Sequence, residues 1–155
     1  MQQYESIYDY SHWKAHGLPI PTRHIRNIDV KHDINLVRQI MIQLRDKPDL
    51  KPAPVLVDGY EPLLVARHME RLHAAGLVEG NVSRTLGSAA PLVLATDLSL
   101  EGHTFLAALE NKQVWTKLKE ALSPDELASL PVKKLSEVAV ELAVQWAKRK
   151  LGLAD

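Results

Sequence analysis

No cysteine occurs anywhere in the 155 residues, which excludes a disulfide framework, a thiolate nucleophile and a zinc–sulfur site. Net charge is also lacking, since 19 basic side chains meet 19 acidic ones. Aromatic residues are scarce, at 5% with a single phenylalanine, and they offer little base-stacking surface. No apolar run approaches the length of a bilayer crossing. The opening MQQYESIYDYSHW has neither the basic start nor the apolar centre of a signal or transit peptide. A bacterial-type cytoplasmic protein without membrane association is the expectation. A phosphate-cradling glycine loop, GxSxG, HExxH and a dinucleotide fingerprint are missing as well. Neither an enzymatic activity nor a cofactor is therefore expected.

What remains is a chain of ordinary globular composition, 46% hydrophobic and 25% charged, whose length suits one domain with a real core and an appendage. Its charges are unevenly spread. Residues 1–26 hold three basic and two acidic groups, residues 27–110 eight and eleven, and residues 111–155 eight and six. The acidic centre counts against a strong autonomous DNA binder, because phosphate contacts supply most nonspecific affinity.

Local signals divide the chain into three parts. Residues 1–29 are aromatic and polar, and with the Pro-punctuated GLPIPT they read as an arm, with a short helix near SHWKAH. Residues 30–122 follow as the main domain. Its first helix starts at the cap Asp33, carries Ile34, Val37, Ile40, Met41 and Leu44 at helical spacing, and ends before Pro48. The spacing then predicts a short strand over Val55–Val57, a turn at Asp58-Gly59, and a helix opened by Pro62 and closed by Gly76. Leu77 and Val78 begin a strand, LVLAT (92–96) forms another, and one long helix runs from about Ser99 to Leu122. Helix, glycine cap, hairpin and helix in this order predict a mainly α fold with a small β wing, a winged helix-turn-helix. Gly102 near the start of that long helix costs up to about 1 kcal/mol relative to alanine. We expect it to admit close approach to the first helix or the wing strand, the other reading being a solvent-facing or frayed turn.

Residues 123–155 read as a C-terminal helical extension. Ser123 caps a short helix with Pro124 at its first position. A last helix from about Val132 to Leu151 carries Leu135, Val138, Leu142 and Trp146 on one stripe and Val140, Val144, Ala147 and Leu151 on another. Two apolar stripes need two covers, which predicts a homo-oligomer through this helix or docking of the arm. Completion of the monomer core is the other reading.

Three stretches carry a family resemblance. VKHDINLVRQIMIQL, DGYEPLLVARHMERLHAAGLVEG and LSLEGHTFLAALENKQVWTKLKEAL resemble the opening, the central helix and the EGH motif of the uncharacterised bacterial and phage-associated proteins grouped as domain of unknown function 2513. The resemblance spans about residues 30–122 and includes His68 and His103. Residues 1–29 extend beyond the usual start of that family, and Arg67 stands where an aromatic residue is expected beside the histidine. A winged-helix fold in a regulatory or mobile-element context is implied, with no assigned activity.

Double-stranded DNA is the expected partner, and its candidate contacts follow from the fold. The helix over about 62–75 presents Arg67 and Arg71 one turn apart, with Glu70 between them, to base edges or phosphates. Asn81, Ser83 and Arg84 in the wing, residues 79–92, would grip the backbone. A solvated Arg-Glu-Arg surface is the competing reading of the helix, and a winged helix used for protein–protein contact or oligomerisation without DNA competes for the whole domain. His12 and His16, four apart, lack a third metal ligand and read as solvated or interface histidines. His103 is expected to hydrogen-bond to the hairpin. Trp115 and Trp146 belong to apolar stripes, and Lys148 to Lys150 suit a helix C-terminus.

Overall fold

The computed structural model describes residues 31–84 and 91–153. These described residues are mainly helical, with six α-helices and one two-stranded antiparallel hairpin. The arm expected over residues 1–29, with His12 and His16, lies outside the described residues.

Helix α1, Ile34–Arg45, begins where its cap predicts. The Asp33 carboxylate accepts the N–H groups of Asn35 at 2.9 Å and Leu36 at 3.2 Å, satisfying donors that no earlier turn can reach. Ile34, Val37, Ile40, Met41 and Leu44 are buried as the spacing requires, joined by Leu36. Residues 46–61 then cross to the next helix without helix or strand. The strand expected over Val55–Val57 does not form. In its place Ala53 alone bridges Ala95, its N–H donating over 3.1 Å and its carbonyl accepting over 2.8 Å. Pro52 and Pro54 flank Ala53 and have no N–H to donate, so this segment cannot supply a regular strand's bonds. Val57 is buried nonetheless while Leu56 is half exposed at 51%. Tyr60 N–H closes a turn on Val57 O at 3.2 Å, and Gly59 in the turn takes φ 84°.

Helix α2, Pro62–Ala74, buries Val65, Ala66, His68, Met69 and Leu72. Its exit is a Schellman cap: Gly76 adopts φ 75°, its N–H reaches His73 O at 3.0 Å, and Leu77 N–H reaches Leu72 O at 3.0 Å. Strand β1, Val78–Ser83, pairs antiparallel with β2, Leu92–Leu98. The register slips between Glu79, opposite Asp97, and Gly80, opposite Ala95, a bulge at which the backbones crowd. A Cβ on Gly80 would lie 2.2 Å from Leu94 O, so this position accepts no side chain.

Ser99 opens α3, Leu100–Glu110, and knots it to the exit of α2. Its hydroxyl donates to Gly76 O at 2.5 Å and accepts Gly102 N–H at 3.0 Å, while its own N–H donates to Leu77 O at 3.0 Å. Gly102 is buried there, and a Cβ on it would lie 2.0 Å from Leu77 O and 3.2 Å from Leu98 Cβ. The glycine thus admits close approach to the base of the hairpin, since Leu77 immediately precedes β1 and Leu98 ends β2.

The single long helix expected to Leu122 is instead two. Asn111 takes an extended conformation, φ −72° and ψ 118°, and caps α4, Lys112–Ala121, by accepting the N–H groups of Gln113 at 3.0 Å and Val114 at 3.2 Å. An asparagine side chain that can satisfy two helix-start donors competes with continuation of the helix. Helix α5, Pro124–Ser129, starts in a capping box between Ser123 and Glu126. Helix α6, Val132–Lys150, follows Pro131.

One apolar core links all of these elements. It runs from Leu36, Val37, Ile40 and Met41 through Met69 and Leu72 to Phe105, Leu109 and Leu118. Leu127 of α5 and Val132, Leu135 and Ala139 of α6 join the same cluster, so the start of the C-terminal extension completes the main core. The sole phenylalanine, Phe105, is fully buried. Among the described residues no helix is long and apolar enough to cross a membrane.

Candidate nucleic-acid interface

The candidate residues fall into two groups that α2 and the hairpin hold apart. Arg67 and Arg71 lie one turn apart on α2, and both are half-buried. The Arg67 guanidinium reaches Glu70 at 3.4 Å, with 22% and 33% of the two side chains exposed. Arg71 donates to His32 Nδ1 at 3.3 Å, since a guanidinium has no acceptor to offer. Asn81 and Ser83 on β1, with Arg84 just beyond it, form the second group. All three are exposed, at the distal end of the hairpin where Asn81 faces Leu94 and Ser83 faces Leu92.

Two histidines fix α2 in place. His68 is buried at 1% exposure. Its Nδ1–H donates to Leu64 O at 2.9 Å, and its Nε2 accepts the backbone N–H of Asp33 at 3.0 Å. The bond accepted at Nε2 requires the neutral ring, because a protonated Nε2 has no lone pair to offer. Burial pushes its pKa below the ordinary value of 6.5, and the nearby positive charge of Arg71 acts in the same direction against the opposing pull of Leu64 O and Asp33. The His32 ring stands edge-on to His68, 6.2 Å between centroids. At the other end of α2, His73 donates to Gly80 O at 3.3 Å, tying the helix to the bulged start of the hairpin.

Sequence reasoning identified His68 but not its partner. The bond to Asp33 joins positions far apart in the chain, and no local pattern marks it. His103 does reach the hairpin, its Nε2 lying 3.4 Å from the Asp97 carboxylate. Trp115 packs against the core, with Arg38 at 4.8 Å and Lys119 at 4.9 Å over its ring. No group of three or more histidine, cysteine or acidic side chains suited to a metal ion occurs among the described residues.

A mainly helical domain with a hairpin anchored to the helix before it is the class of protein these elements define. The family model described as hypothetical protein (DUF2513) matches residues 31–127, more than half of the chain. The chain belongs to that family. Comparisons with curated proteins and with solved structures give no match.

Proposed function

We propose that this chain is a winged-helix protein that binds double-stranded DNA and acts in transcription regulation, with α2 and the hairpin as its contact surface. The observation that carries the reading is the Ala53–Ala95 bridge. It lays one residue of the segment before α2 against the free edge of β2, which supports reading the chain in the order helix, bridge, helix, strand, wing, strand. Residues 54–61 hold no helix, so the reading rests on this bridge to the hairpin rather than on a pair of helices joined by a tight turn. Asn81, Ser83 and Arg84 supply two neutral polar side chains and one positive side chain to a phosphate backbone, while Arg67 and Arg71 supply charge from α2.

A second reading is favoured by the engagement of Arg67 with Glu70 and of Arg71 with His32: a protein-contact module that binds no DNA. Titration of the purified chain against fluorescent random duplex at low and moderate salt separates the two. Affinity that falls steeply with salt, and falls further in Arg84→Ala and in Arg67→Ala with Arg71→Ala, supports DNA binding. No binding at low salt leaves the protein-contact reading in possession.

A further inference from the structure

Helix α6 outruns the core it helps to build. Its buried residues, Val132, Leu135, Ser136 and Ala139, all lie in its first half, and Val140, Leu142 and Ala143 pack partly against the core. From Val144 to Leu153 no residue is fully buried, Trp146 and Ala147 being half-buried, although apolar side chains continue. Val138 is 40% exposed, Val144 43%, Leu151 71% and Leu153 68%. The projecting turns nonetheless end in a built cap: Gly152 takes φ 72°, its N–H reaches Arg149 O at 3.1 Å, and Leu153 N–H reaches Lys148 O at 2.8 Å. Helical turns without a packed face are marginal in water, so this end calls for a partner surface.

Charge along the exposed face identifies that surface. Glu137, Glu141, Val144, Lys148 and Leu151 recur at alternating spacings of four and three, which places them on one seam. The seam is acidic toward its start and basic toward its end, with Lys148, Arg149 and Lys150 in the last turn. We propose that this seam pairs antiparallel with the same seam of a second copy of the chain, about a two-fold axis at Val144. Val144 then meets its own counterpart, Glu141 of each copy faces Lys148 of the other, and Glu137 lies opposite Leu151, whose apolar side chain reaches the neighbouring Val138. A parallel pairing would set carboxylate against carboxylate and ammonium against ammonium. Such self-complementarity is the signature of an isologous contact. This pairing does not rest on the DNA reading, and a dimer that ignores DNA supports it equally.

The test is sedimentation equilibrium of the full chain over a wide concentration range. The wild type should be a dimer, and Val144→Glu should raise its Kd about tenfold or more while leaving the circular dichroism spectrum unchanged. Glu141→Lys and Lys148→Glu should each weaken the dimer, and the two together should restore it. A wild type monomeric at every concentration overturns the proposal. If hydrogen exchange over 144–150 is then as slow as in the core, the face belongs to residues 1–29 instead. A dimer indifferent to Val144→Glu, or a double exchange that fails to recover, overturns the antiparallel seam.

Discussion

Gly102→Ala isolates the contact on which the hairpin's attachment depends. Helix propensity alone would make the substitution stabilising by about 1 kcal/mol. The new methyl, however, would lie 2.0 Å from Leu77 O, well over 1 Å inside ordinary van der Waals contact, and 3.2 Å from Leu98 Cβ. Relief requires α3 to move away from Leu77, which strains the bond from Ser99 N–H to Leu77 O and the bond from Ser99 Oγ to Gly76 O. Overpacking costs about 1–3 kcal/mol, and a buried backbone group left without its partner about 1–3 kcal/mol more. Set against the propensity gain, the net destabilisation is about 3 kcal/mol. With a urea m value of about 2 kcal/mol/M, the unfolding midpoint falls by about 1.5 M. Gly59→Ala provides the calibration: nothing lies within 4 Å of its Cβ, so only the φ of 84° opposes the change, at about 1–2 kcal/mol. A Gly102→Ala protein as stable as the wild type, or more so, would falsify the close-approach argument.

Two other perturbations address the site. His68 is held neutral below its ordinary value of 6.5, so the unfolded chain binds the extra proton more readily than the folded one. Its contribution to stability is therefore fully present above about pH 6.5 and is lost as pH falls toward the lowered value. Urea midpoints measured across this window should decline on acidification, and His68→Leu should flatten that decline while costing about 1–3 kcal/mol for the orphaned Asp33 N–H. An undiminished slope in the variant would remove His68 from the account. Gly80→Ala should open the hairpin, because its Cβ meets Leu94 O at 2.2 Å. Amide exchange over Asn81–Ser83 and Leu92–Ala95 should accelerate while that of α1 does not, and unchanged exchange in the hairpin would refute the bulge argument.

Features written in neighbouring residues were legible in the sequence. Asp33 before an apolar stripe, Pro62 and Gly76 around α2, and Ser123 with Pro124 each act within a few residues of their own backbone, so their positions predicted helix ends correctly. Asn111 acts just as locally but was hidden, because the flanking apolar residues keep a helical rhythm across it. The segment around Val55–Val57 misled for the opposite reason. Its valines favour a strand, but Pro52 and Pro54 deny it a donor on either side of Ala53, and only the folded backbone reveals where the single bridge falls. At the candidate interface, Arg67 and Arg71 were placed correctly on one helix. Their engagement by Glu70 and His32 depends on side-chain reach and on how α1 begins, neither of which periodicity encodes.

The knot at Ser99 has a mechanical consequence. Because one serine side chain holds the carbonyl at the end of α2 and the first turn of α3 together, and Leu77 O is clasped by the next helix, the base of the hairpin has no hinge. A load that tilts the paired strands β1 and β2 is therefore passed to α3, and from α3 to α6, against which it packs directly.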